Sequence, residues 1–220
     1  MKPPEIEFEG KKYIFSLKSL IIFAVGIPLI SFLIYFSHDW VWLHDVVIHQ
    51  TVFVMNLLTG MGVEAVYNPY GPHYWYFDIP GKPNIGFETF CTGIQAIAIF
   101  AGIIITIPHS KDPTTSKNIW WRKLKALIIS SLIFYIVNII RMVIQLYLYY
   151  IGYAWDDIHY SISAASSFIA AIIILLLHKW IPEFIISIIY AGILIKRRIK
   201  GSKEVELNTL SNEQNKIEKI

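Results

Sequence analysis

Between Ser19 and Ser37 the chain carries no charged residue, and this stretch limits what it can fold into more than any other feature. About 19 residues of helix rise roughly 29 Å, enough to cross the hydrocarbon core of a bilayer, where unpaired backbone is not tolerated. Lys11, Lys12 and Lys18 precede the run, and by the positive-inside tendency they place the N-terminus in the cytoplasm. No small-residue cleavage site follows, so a retained span is expected and not a removed signal peptide. Composition agrees: 55% of the 220 residues are hydrophobic and the mean hydropathy is +0.51, too apolar for an ordinary soluble domain. Net charge is only +3. The basic residues cluster at the ends of apolar runs, a pattern that suits membrane orientation and gives no support for nucleic-acid binding.

The next apolar stretch, "DWVWLHDVVIHQTVFVMNLLTGMG", differs in kind. Asp45, His49 and Asn56 recur at helical spacing with Thr59 close to the same face, so this helix is expected to lie along the outer interface, with spanning as the alternative. Residues 62–87 are rich in Gly, Pro and aromatics, which predicts a small hairpin or ordered loop on the membrane surface. A third run, Phe90 to Ile107, is expected to span, and residues 109–125 form a short loop with five basic side chains, Lys111, Lys117, Arg122, Lys123 and Lys125, against Asp112. Such a loop belongs in the cytoplasm. The fourth run, about 125–150, then climbs outward to the aromatic belt "QLYLYYIGY"; Ser161 to Leu177 returns inward and stops at His178, Lys179 and Trp180. An inside N-terminus with Cys91 outside allows only an odd number of crossings between them, which is why the helix near 40–60 is assigned to the surface.

A last apolar segment, about 184–195, ends in "KRRIK" and is expected to continue beyond a kink at Pro182 or to lie at the interface. The expected class is an all-α integral membrane protein, a bundle of about four to six helices, transmembrane plus interfacial, with a small aromatic outer loop or β-hairpin. Residues 1–200 form one membrane domain with an outer surface segment at about 38–89, and residues 201–220 form a polar cytoplasmic tail expected to be disordered.

Within this frame, some polar residues stand where apolar ones would be cheaper. Arg141 is the only charged residue from Ala126 to Ala154, and a basic side chain deep in a span costs about 2.5–3.5 kcal/mol on insertion scales. Asn138 lies three residues earlier, on the same helical face. Cys91 is the only cysteine, so it serves no internal disulfide. It is expected in the first turn of a helix capped by Thr89, or by Thr92 with Gln95 at capping-box spacing, with its sulfur near the positive end. His159 begins the next span on the same side.

A thiol, a permanent cation and an imidazole thus converge on one outer layer, and each suits a role in acyl transfer. Cys91 is the nucleophile, His159 accepts and returns its proton, and Arg141 holds the substrate carbonyl or the developing oxyanion. Each also has a plainer reading: a packing cysteine, an arginine bonded to carbonyls, a surface histidine beside Asp156 and Asp157. Glu88 either orients the nucleophile or is an exposed loop acid. Asp45 and His49 lack an obvious third ligand and are weak evidence for a metal. His44, His109 and His178 lie at span ends, where nothing special is required of them. No metal and no cofactor is expected.

At these positions the sequence resembles the exosortase/archaeosortase family. "ETFCTG" at 88–93, with Glu88, Cys91 and Gly93, matches a Glu-x-x-Cys-x-Gly nucleophile block; "NIIR" at 138–141 matches Asn-x-x-Arg; His159 follows at the head of the next span. The resemblance covers residues 60–175. It implies a membrane cysteine transpeptidase that acts on the C-terminal sorting segment of exported proteins, a short motif followed by a membrane helix and a basic tail. A thioester would form at the outer face, and the acyl group would pass to an acceptor amine, in archaeal members a lipid headgroup. Two other classes stay open: a small transporter or channel with Arg141 on the conduction path, which predicts that Cys91→Ala is tolerated, and a noncatalytic membrane assembly protein.

Overall fold

The computed structural model describes residues 4–36 and 40–199, with only the backbone described for 163–167. It is a helical bundle with two small sheets. The chain opens with a hairpin of β1 (Ile6–Phe8) and β2 (Lys11–Tyr13), in register Phe8↔Lys11. Glu9 and Gly10 both have positive φ, the geometry of a tight two-residue hairpin turn. Ser16 then caps the first long helix, its Oγ accepting from Ser19 N at 3.1 Å.

Helix α1 (Leu17–Phe36) carries the uncharged run. Helix α2 (Val41–Thr59) follows and ends at Gly60. Strands β3 (Glu64–Tyr67), β4 (Trp75–Asp78) and β5 (Ile85–Phe87) form an antiparallel sheet in sequence order, so the aromatic segment is a three-strand meander where the sequence suggested a hairpin or loop. Asn56 anchors it to α2, donating to Val63 O and accepting from Val63 N, both at 2.8 Å.

A 3-10 turn, Thr89–Thr92, leads into α3 (Ile94–Thr106). A single turn of helix, α4 (Pro113–Ser116), is capped by Asp112, whose Oδ1 accepts from Thr114 N at 2.8 Å. Helix α5 (Ile119–Tyr150) is the longest, and α6 (Trp155–Trp180) returns beside it. At Pro182 the chain turns by 91° into α7 (Glu183–Ile199).

Among the described residues three helices, α1, α2 and α5, are long and apolar enough to cross a membrane, and the bent pair of Phe168–Trp180 with α7 passes as a fourth. The third run, expected to span over Phe90 to Ile107, forms a helix of only 13 residues, too short to pass as a span by itself, since α3 begins only at Ile94. Helix α6 starts at Trp155, six residues before its expected beginning, which puts His159 in its second turn. The 201–220 tail lies outside the described residues.

Helices α1 and α3 run antiparallel in close contact. A Cβ on Gly102 would lie 2.7 Å from Ile27 O, and one on Gly26 would lie 2.7 Å from Thr106 Cγ2, so small residues set the approach as they do between membrane helices. The bundle has two unlike ends. One carries the meander, α2, the 3-10 turn and the junction of α5 with α6, around Val47, Ile48, Met55, Phe77, Phe87 and Leu146. The other carries the hairpin, the 109–125 segment and the α6–α7 elbow: Lys111 N donates to Ile14 O at 2.8 Å, Tyr190 OH donates to Phe15 O at 3.0 Å, and Arg122 pairs with the fully buried Glu183 at 2.6 Å.

Candidate active site

Strand β5 delivers the chain to Cys91. Glu88 is still extended, with φ −109° and ψ 167°, and its carbonyl accepts from Cys91 N at 2.8 Å to close the 3-10 turn. Gly93 then adopts φ +77°, and the α-helix starts only after it. Thr92 Oγ1 donates to Thr89 O at 2.6 Å and accepts from Ile94 N at 3.2 Å. Cys91 therefore sits in a separate turn ahead of α3. The expected first α-helical turn, with the sulfur at its positive end, is not what forms, because the left-handed Gly93 interrupts the helix.

Three consecutive residues of this turn are each held by a polar side chain from another helix. His44 Nε2, from α2, lies 3.0 Å from Thr89 Oγ1. From α5, Arg141 Nη2 donates to Phe90 O at 3.3 Å and Asn138 Nδ2 donates to Cys91 O at 2.7 Å. The i, i+3 spacing of Asn138 and Arg141 puts both on the face toward the turn. Gly93 keeps room for that contact, since a Cβ there would come 3.0 Å from Asn138 Cγ.

Arg141 does not use all its donors. Its Nε is buried without a partner, an unusual condition for a guanidinium. Arg141, Asn138, Gly93 and Gln95 line a cavity of about 260 Å³ whose other walls include Phe90 and Phe134. A cavity with an apolar wall and a few converging donors suits a peptide carbonyl beside an apolar side chain.

Cys91 is 6% exposed. Burial pushes its thiol up from the ordinary value; a hydrogen bond with the Glu88 backbone and the Arg141 guanidinium pull it down, and the Glu88 carboxylate raises it further. The resting group is a thiol, and chemistry on it requires a base.

His159 is half-buried at the same end of the bundle. Its ring lies 5.5 Å from that of Trp155 and 6.0 Å from that of Tyr160, its Nδ1 is buried without a partner, and its carbonyl meets Gln145 Nε2 at 3.5 Å. Gln145 is one helical turn beyond Arg141, so His159 flanks the guanidinium's helix; no hydrogen bond among the described residues joins it to Cys91 or Arg141. Glu88 faces His73 at 3.8 Å. Asp45 and His49 pair with each other at 3.1 Å, both more than half exposed, and no group of three or more metal-ligating side chains occurs among the described residues.

Two residues at this site escaped the sequence reading, His44 and Gln145. His44 had a visible signal: it lies on the stripe Leu43, Val47, Ile48, Thr51 and Met55 that α2 buries, and a histidine on an apolar stripe needs a partner. Gln145 had a comparable one, an amide inside an apolar run. Compared with protein-family models, curated proteins and solved structures, the chain shows no match.

Proposed function

We propose that the protein is a membrane-embedded cysteine transpeptidase of the exosortase/archaeosortase type, acting on the C-terminal sorting segment of exported proteins. The observation that carries this reading is the triple hold on residues 89–91 together with the adjoining cavity that Gly93, Asn138 and Arg141 line. A packing cysteine needs neither. The substrate carbonyl enters the cavity, Cys91, which does not itself line it, turns its thiol toward that space and attacks, and the oxyanion is met by Arg141. His159 takes the thiol proton and returns it to the departing amine, which requires its ring to swing toward the turn once substrate is bound. An acceptor amine, a lipid headgroup among the candidates, then resolves the thioester.

The site faces the outside of the cell in this reading, because the basic clusters lie at the opposite end of the bundle. A substrate held by its own membrane helix would present its cleavage point at that level. The burial of Cys91 favours one rival, an inert thiol in a noncatalytic protein. Intact-mass analysis of a co-expressed exported protein bearing such a C-terminal segment separates the two. Wild type is expected to yield a shortened, acceptor-modified product and Cys91→Ala the uncleaved precursor, with both enzymes inserted. Equal processing by Cys91→Ala removes the transpeptidase reading.

A further inference from the structure

We infer that His44 is a positioning residue for the nucleophile turn, acting through Thr89, which makes α2 a working part of the site and not only a cover for it. This rests on the reading of Cys91 as the nucleophile. His44 is 6% exposed, its ring packs edge-on to Phe87 at 5.5 Å, and its Nε2 lies 3.0 Å from Thr89 Oγ1. Its Nδ1 is buried without a partner. An unbonded N–H in such a place is costlier than a bare lone pair, so the proton belongs on Nε2, and His44 donates to the Thr89 hydroxyl.

Phe87, which the ring contacts, is the last residue of β5, and Thr89 is the first residue of the turn. One imidazole therefore fixes both the strand's exit and the turn's entry. Arg141 and Asn138 hold Phe90 and Cys91 from the α5 side only; with His44 absent, nothing polar holds the turn from the α2 side, and the thiol can rotate away from the guanidinium. Of the four histidines at this end, His44, His49, His73 and His159, His44 is the one hydrogen-bonded to a residue of the turn.

Cys91 is the chain's only cysteine, so any alkylation of the full-length protein in detergent reports on this turn. The rate with iodoacetamide is measured for wild type, His44→Phe, Thr89→Val, the double variant, His44→Gln and Thr89→Ser. Phe fills the space without the bond, whereas Gln places an N–H near the position of Nε2. Each of His44→Phe and Thr89→Val is expected to speed alkylation about fivefold or more, and the double variant to match the singles, as for two ends of one bond. His44→Gln and Thr89→Ser are expected to return the rate to within about twofold of wild type. Effects that multiply in the double variant, or a wild-type rate in His44→Phe, overturn the inference. Should His44→Phe not fold, the Thr89→Val and Thr89→Ser pair decides it alone: a released thiol restored by serine supports the hold, and a wild-type rate in valine overturns it. If the coupling is found while Cys91→Ala still processes substrate, the transpeptidase reading fails and the His44–Thr89 hold stands.

Discussion

Arg141 and Glu88 act on one sulfur from opposite directions. Burial raises the thiol, a hydrogen bond with the Glu88 backbone and the guanidinium lower it, and the carboxylate raises it again; since only the thiolate is alkylated, the pH profile of the Cys91 reaction reads the two side-chain influences separately. Arg141→Gln removes the pull toward ionisation, so the profile is expected to move to higher pH. Glu88→Gln removes a push against it, and the profile is expected to move lower. Stopped-time alkylation across the alkaline range checks both signs, and a downward move in Arg141→Gln would show that the guanidinium does not face the sulfur. Cys91, Asn138 and Arg141 were legible in the sequence because an isolated thiol and an intramembrane cation are rare, and because a spacing of three defines a helix face. For His44 the buried stripe of α2 asked for a partner but could not name one, since Thr89 lies 45 residues away. Lys123 misled. It looks like one more orientation charge, yet it is 5% exposed and its Nζ donates to Ile105 O at 2.9 Å and Ile107 O at 2.7 Å, closing the end of α3.

Among the elements, the long helices follow the apolar runs, because burial or lipid contact is decided by about 20 residues at once. Their ends do not follow, because caps and breaks are decided by single residues. Gly93 cuts four residues from the front of the α3 run, and Ala154, extended at φ −67° and ψ 133°, starts α6 early. The three-residue strands β1, β2 and β5 are too short for an alternation to register. The elbow between α6 and α7 depends on a long-range pair that the sequence does not announce. Arg122 donates to both carboxylate oxygens of Glu183, at 2.9 and 2.6 Å, and also to Thr115 O at 2.8 Å. Removing one partner of a buried pair leaves an uncompensated charge, at a cost of about 3–5 kcal/mol. Arg122→Met is therefore expected to lower the thermal midpoint sharply, and adding Glu183→Leu to recover most of the loss. Equal midpoints for Arg122→Met and wild type, measured by scanning fluorimetry in detergent, would show that the elbow does not rest on this pair.

For the molecule as a whole, the unlike ends carry the strongest consequence. Lys111, Lys117, Arg122, Lys123 and Lys125 gather at the end where the N-terminal hairpin meets the 109–125 segment, while the meander and the Cys91 turn occupy the other. Such an asymmetry orients a membrane protein with its basic end in the cytoplasm, and the proposed reaction on an exported substrate requires the Cys91 turn on the opposite side. Helix α2 bears on the same question, because a full crossing by it would change the parity of the chain and put the site inside. It satisfies the length and composition of a span, yet the elements packed against it are the meander, the 3-10 turn and α5, and its two ends meet Tyr35 through Trp40 and Val63 through Asn56. Tyr70 is 98% exposed in the meander and Lys117 is exposed at the basic end. In a Cys91→Ser background, Tyr70→Cys is expected to react with a membrane-impermeant maleimide in intact cells, and Lys117→Cys only after permeabilisation. Labelling of both from one side would mean that an even number of crossings separates them. Labelling of Lys117→Cys alone would turn the whole bundle over and leave the Cys91 turn without access to any exported substrate.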